Sequence, residues 1–214
     1  MKNMKTKSDW MRNEMPSTRK RNSLVLGFGI NDADYVVDPA KKSGIGVCPA
    51  YHAWLRMIIR CHSKAFLKKN HTYFNASVCD DWRYFMKFRE WWHSNVVDDW
   101  EIDKDLLIIG NRVYSADSCV FVPPWLNRFL LASNSARGDL PIGVYYHKRE
   151  QRYRSQLSMG DGKQKTLGSF SSPSQAHSAW VEAKKGLAAI KKVDMDNIDV
   201  RIYRNVLKMI SDMK

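Results

Sequence analysis

The sequence predicts an α+β protein: helices, then a ββα module, then a three-stranded antiparallel sheet packed on one helix. Three observations predict it. Residues 142–191 hold runs that alternate polar and apolar side chains, a Gly-Asp-Gly turn, a Ser-Pro helix start and an amphipathic helix. Residues 101–131 read as strand, turn, strand and helix. Residues 49–69 and 80–96 carry apolar side chains at helical spacing.

Taken in order, residues 1–23 are polar and basic and read as a flexible arm. Residues 24–47 begin apolar and become loop-like. Gly27 and Gly29 make no phosphate-binding fingerprint, because no helix follows them. In residues 49–69, Pro49 suits a helix start, and Trp54, Met57, Ile58 and Cys61 form one apolar face. A second helix is expected from Asp80 to Val96, with Trp82, Phe85, Phe88 and Trp92 as its stripe.

The apolar run Leu106 to Ile109, the turn Gly110-Asn111 and the strand Val113-Tyr114 have hairpin chemistry. Pro123-Pro124 then opens a helix from Trp125 to Leu131. The small, polar stretch Ser133 to Leu140 is the best linker in the chain. The expected organisation is an arm (1–23), a catalytic-type module (24–132), a linker (133–141), a sheet-and-helix domain (142–192) and a C-terminal helix (193–214).

In the C-terminal part, Ser172 caps a helix, Pro173 fits its first position and Gln175 completes a capping box. Ala176, Ala179, Trp180, Ala183 and Leu187 are assigned to its apolar face. Ile202, Val206, Met209 and Met213 are assigned to the stripe of the last helix. Along the strand Arg152–Met159, Tyr153, Ser155 and Leu157 share one face, and Arg152, Arg154, Gln156 and Ser158 share the other.

The 214 residues carry a formal net charge of +13, which points to a polyanionic partner, nucleic acid before others. No apolar run spans a membrane and no secretory signal is evident, so the expected place is the cytoplasm. The four cysteines, Cys48, Cys61, Cys79 and Cys119, form no C-x-x-C pair. Free buried thiols are expected, and structural zinc is not.

The order of elements in residues 142–192 resembles the plant ethylene-response-factor (Apetala-type) DNA-binding domain. The resemblance implies duplex DNA as partner, held on the face that carries Lys148, Arg149, Arg152, Arg154, Gln156, Lys163 and Lys165. In that family arginines and tryptophans of the sheet make the contacts; this sheet has no tryptophan.

The earlier region resembles HNH-type endonucleases of the phage kind. The resemblance rests on Ile102-Asp103-Lys104-Asp105, Asn111, Tyr114 to Pro123 and Asn127, with Cys48-Pro49, Trp54, Cys79-Asp80 and Trp82 upstream. It implies a phage DNA endonuclease acting in the host-cell cytoplasm, with a divalent cation such as magnesium held by Asp103 and Asn127. The usual histidine base falls on Lys104, and the middle asparagine falls near Ser118 with Asn111 as its substitute. A lysine between two aspartates keeps its proton, so Lys104 suits a phosphate contact better than proton removal. The alternative is a non-catalytic DNA-binding regulator or inhibitor on the same scaffold.

Overall fold

A computed structural model describes residues 24–39, 46–131, 138–160 and 162–214. The expected basic arm lies outside the described residues, as does most of the expected linker. The protein is mixed α and β with small sheets, and it divides into two compact units, Met1–Phe121 and Val122–Lys214. The division precedes the expected linker. The helix opened by Pro123-Pro124 therefore belongs to the second unit.

The first unit begins with two short antiparallel strands, β1 (Leu24–Val25) and β2 (Gly29–Ile30). Leu26 and Gly27 both take positive φ at the turn between them. Helix α1 (Pro49–His62) has proline in its first turn and buries Trp54, Met57, Ile58 and Cys61, as the spacing predicts. The single helix expected to Lys69 is broken at Ser63. That residue is extended, and its hydroxyl accepts from the Phe66 amide to start α2 (Lys64–Lys69).

Helix α3 (Phe85–Asn95) follows a 3₁₀ turn at Asp81–Arg83. Trp82, Phe85, Phe88 and Trp92 are all buried, so this stripe is core. The Trp54 indole donates to the Trp82 carbonyl at 2.7 Å, which ties α1 to the 3₁₀ turn. Three cysteines are buried, Cys79 is half-buried, and all four are free thiols.

The hairpin expected over residues 106–114 does not form. Strand β3 (Ser77–Val78) pairs in parallel with β5 (Val113–Tyr114), while β4 (Glu101–Asp103) pairs with β6 (Val120–Val122). Leu106 and Leu107 are buried in an irregular loop instead of a strand. An apolar run of that length marks burial but does not choose between strand and loop. Helix α4 (Pro124–Leu130) follows β6.

The second unit contains the expected three-stranded antiparallel sheet, in order β7 (Val144–His147), β8 (Arg152–Ser158) and β9 (Gln164–Phe170). Helix α5 (Pro173–Ile190) packs on it. The Ser172 hydroxyl accepts from the Gln175 amide at 3.2 Å. The Gln175 side chain takes the Ser171 hydroxyl, so the expected reciprocal box is half made.

Gly143, at φ +77°, lies under Trp180. A Cβ there would stand 2.0 Å from the indole, so both backbone and space demand glycine. The buried stripe of α5 is Ala176, Trp180, Lys184 and Ala188; Ala176 and Trp180 lie where the sequence pattern puts them, while the expected Ala179, Ala183 and Leu187 are half-buried beside that stripe. Two more helices close this unit, α6 (Lys192–Asp196) and α7 (Val200–Asp212). Helix α7 buries Ile202, Asn205, Val206 and Ile210, so the expected Met209 and Met213 lie beside its core stripe.

Candidate nucleic-acid interface and the loop of Asp103

The outer face of the sheet is set by register. Val144 lies opposite Ser155, Tyr145 opposite Arg154, and His147 opposite Arg152. Ser155 and Leu157 are buried toward α5, so Arg152, Arg154 and Gln156 point the other way, as the alternation predicts. Ser169 lies opposite Arg154 on β9 and joins this outer face. Lys148 and Arg149 are exposed in the turn between β7 and β8.

A bulge changes the register beyond Ser155. Ser155 faces Gly168 but Gln156 faces Thr166, so Leu167 is the extra residue, beside Gly168 at φ +145°. Leu157 consequently faces Lys165. Residues directly opposite share a face. Lys165 thus lies on the helix side of the sheet, although exposed, and does not join Arg154 and Gln156. Lys163 is exposed just before β9.

One acidic residue that no sequence pattern singles out sits on the outer face. Glu150, in the β7–β8 turn, folds back over the sheet and accepts both Nε (3.1 Å) and Nη2 of Arg154. The Ser169 hydroxyl reaches the same carboxylate at 3.4 Å, and His147 Nδ1 lies 3.7 Å away. The Arg154 hydrogen bonds, first among the causes, hold the Glu150 carboxyl below its ordinary range. Arg154 also bonds Tyr145, its neighbour on β7.

In the first unit, Asp103 ends β4 and caps the loop behind it. Its Oδ1 accepts from the amides of Asp105 (2.7 Å) and Leu106 (2.9 Å). Burial nevertheless raises its pKa. Lys104 is buried, with Nζ 2.5 Å from Asp105 Oδ1 and 5.7 Å from the centre of the Tyr114 ring.

Asn111 donates to the carbonyls of Lys104 (2.7 Å) and Val113 (2.8 Å) and accepts from the Val113 amide (3.2 Å). The Ser118 hydroxyl donates to the same Val113 carbonyl at 2.6 Å. Asn111 and Ser118, the two candidates for the middle asparagine, therefore brace one loop together. Asn127 lies on α4, in the second unit.

The loop from Asp103 to Cys119 holds no histidine. His62 stacks on Phe28 at 4.0 Å, and His93 stands edge-on to Trp92. Burial lowers the pKa of both. Burial also pushes the Cys61 thiol up to about 11 and the Cys119 thiol up to about 12, so neither is an activated nucleophile.

Among the described residues, no group of three or more His, Cys, Asp or Glu side chains could hold a metal ion. One oxygen of Asp103 is already held by two amides. Comparison of the chain with protein-family models, curated proteins and solved structures finds no match.

Proposed function

We propose that the chain binds duplex DNA through the outer face of β7–β8–β9, and that the Asp103 loop braces the first unit without hydrolysing DNA. The observation that carries this reading is the sheet itself. Arg152, Arg154 and Gln156 occupy successive outward positions of one strand, and Lys148 and Arg149 extend from the adjoining turn. Such a row suits a sheet that meets a DNA groove, where Arg holds backbone phosphates or reads guanine edges and Gln reads adenine edges. The net charge of +13 adds a sequence-independent attraction for phosphate.

The nuclease reading has weaker support in the geometry. The Lys104 ammonium is engaged by Asp105, and the Asp103 carboxylate caps its own loop. What favours it as a second reading is the pairing of β4 with β6 directly before α4, the order of a ββα module.

A supercoiled plasmid separates the two. The expected result is retardation without nicking, in magnesium or manganese, for the wild type and for Lys104→His. Nicking that needs a divalent ion and is abolished in Asp103→Ala would establish the second reading. Absence of any retardation would remove the DNA reading.

A further inference from the structure

The outer face holds a carboxylate where a DNA ligand would bring its own anion. Tyr145, Arg154 and Ser169 lie in one row across three strands, and His147 and Arg152 occupy the next outward positions. Glu150 reaches into this row from the turn. It takes the Arg154 fork, the Ser169 hydroxyl and the proximity of His147 in one carboxylate. Nδ1 of His147 is shielded from solvent and has no hydrogen-bond partner among the described residues. Donors on three strands thus converge on one oxyanion-sized position.

We propose that this is a phosphate site which Glu150 fills in the free protein, and that a backbone phosphate of duplex DNA displaces it on binding. The inference rests on the DNA-binding reading above. The displacement is feasible because the Arg154–Glu150 pair is solvent-accessible, at 31% and 38% side-chain exposure, and exposed pairs are weak. A phosphate diester presents the same bidentate acceptor edge to a guanidinium as a carboxylate does. Glu150 therefore keeps Arg154 extended across the sheet while the face is empty. It also sets a threshold that only a multivalent anion exceeds.

The test is duplex binding by fluorescence anisotropy for the wild type, Glu150→Gln, Arg154→Ala, the double variant and Glu182→Gln. Glu182 is an exposed acid on α5 and serves as the control for net charge. Glu150→Gln is expected to tighten binding about threefold to fivefold. That gain is expected to vanish when Arg154 is alanine, and Glu182→Gln is expected to shift affinity less than about twofold. Wild-type binding with no gain in Glu150→Gln, or an equal gain without Arg154, overturns the inference and leaves the DNA reading standing. No binding by either the wild type or Glu150→Gln overturns both.

Discussion

The Asp103 loop and the β7–β9 sheet each set a basic side chain beside a carboxylate, and the two pairs behave differently. In the loop, Lys104 is 7% exposed and its chain neighbour Asp105 holds it. Taking that partner away leaves a cation with little water, so the pair is committed to the fold. On the sheet, Arg154 and Glu150 are both open to solvent, and each can exchange its partner for another at little cost. A pair whose cation is buried fixes a loop; a pair open on both sides at the edge of a basic face is free to exchange partners. On the proposed reading, the same contrast separates a brace from an interface.

The largest expected effect breaks the brace. Lys104→Ala is expected to lower stability by about 2 kcal/mol, read by chemical denaturation, because a charge-assisted bond and a packed stem both disappear. Its DNA affinity is expected to stay near that of the wild type. Arg154→Ala is the mirror experiment. Its melting temperature is expected to be unchanged while duplex affinity falls about tenfold. If Arg154→Ala melts early and Lys104→Ala does not, the two roles are assigned backwards.

Lys184 sharpens the comparison, because it is buried without a carboxylate among the described residues. Its ammonium lies 3.7 Å from the centre of the Phe129 ring and 5.9 Å from that of Trp180. Burial pushes its pKa down to about 8, and the ring faces oppose that shift. Between about 8 and the ordinary value of 10.5, the unfolded chain holds a proton that the folded chain has released. Stability is therefore expected to rise with pH across that window. Denaturation at about pH 7.5 and about pH 10 should show the rise in the wild type and a smaller one in Lys184→Met. An equal rise in both would mean that Lys184 does not titrate there. The smallest effect is expected at Lys165, on the helix side of the sheet. Lys165→Ala should reduce DNA affinity less than Gln156→Ala does.

How much of this is legible in the sequence depends on which residues carry a period. The β8 alternation places Ser155 and Leu157 inward and Arg152, Arg154 and Gln156 outward, and the register agrees. It does not reveal the bulge at Gly168, and one extra residue is enough to move Lys165 to the other face. The stripe of Trp82, Phe85, Phe88 and Trp92 is readable because large aromatic residues recur at helical spacing. Lys184 is not, since a lysine in a helix reads as surface until Phe129 and Trp180 are seen around it.

In the Asp103 region, the asparagine at the turn is a visible signal, and Asn111 does brace the loop. The apolar run beside it reads as a strand and is not one, because burial of Leu106 and Leu107 leaves the same trace. Glu150 escapes the sequence for a different reason. A turn residue has no periodicity, and only the folded turn brings its carboxylate back to Arg154.

The central claim, that this outer face binds DNA, is tested most directly by the salt dependence of duplex affinity. Wild type and Arg152→Ala/Arg154→Ala are compared from low to high salt. Each phosphate neutralised contributes about −0.9 to the slope of log K against log salt. The account predicts a steep wild-type slope and a shallower one in the double variant, by about 0.9 for each phosphate that is no longer neutralised, with both proteins equally folded. A wild-type affinity that does not change with salt, or two identical slopes, would contradict it.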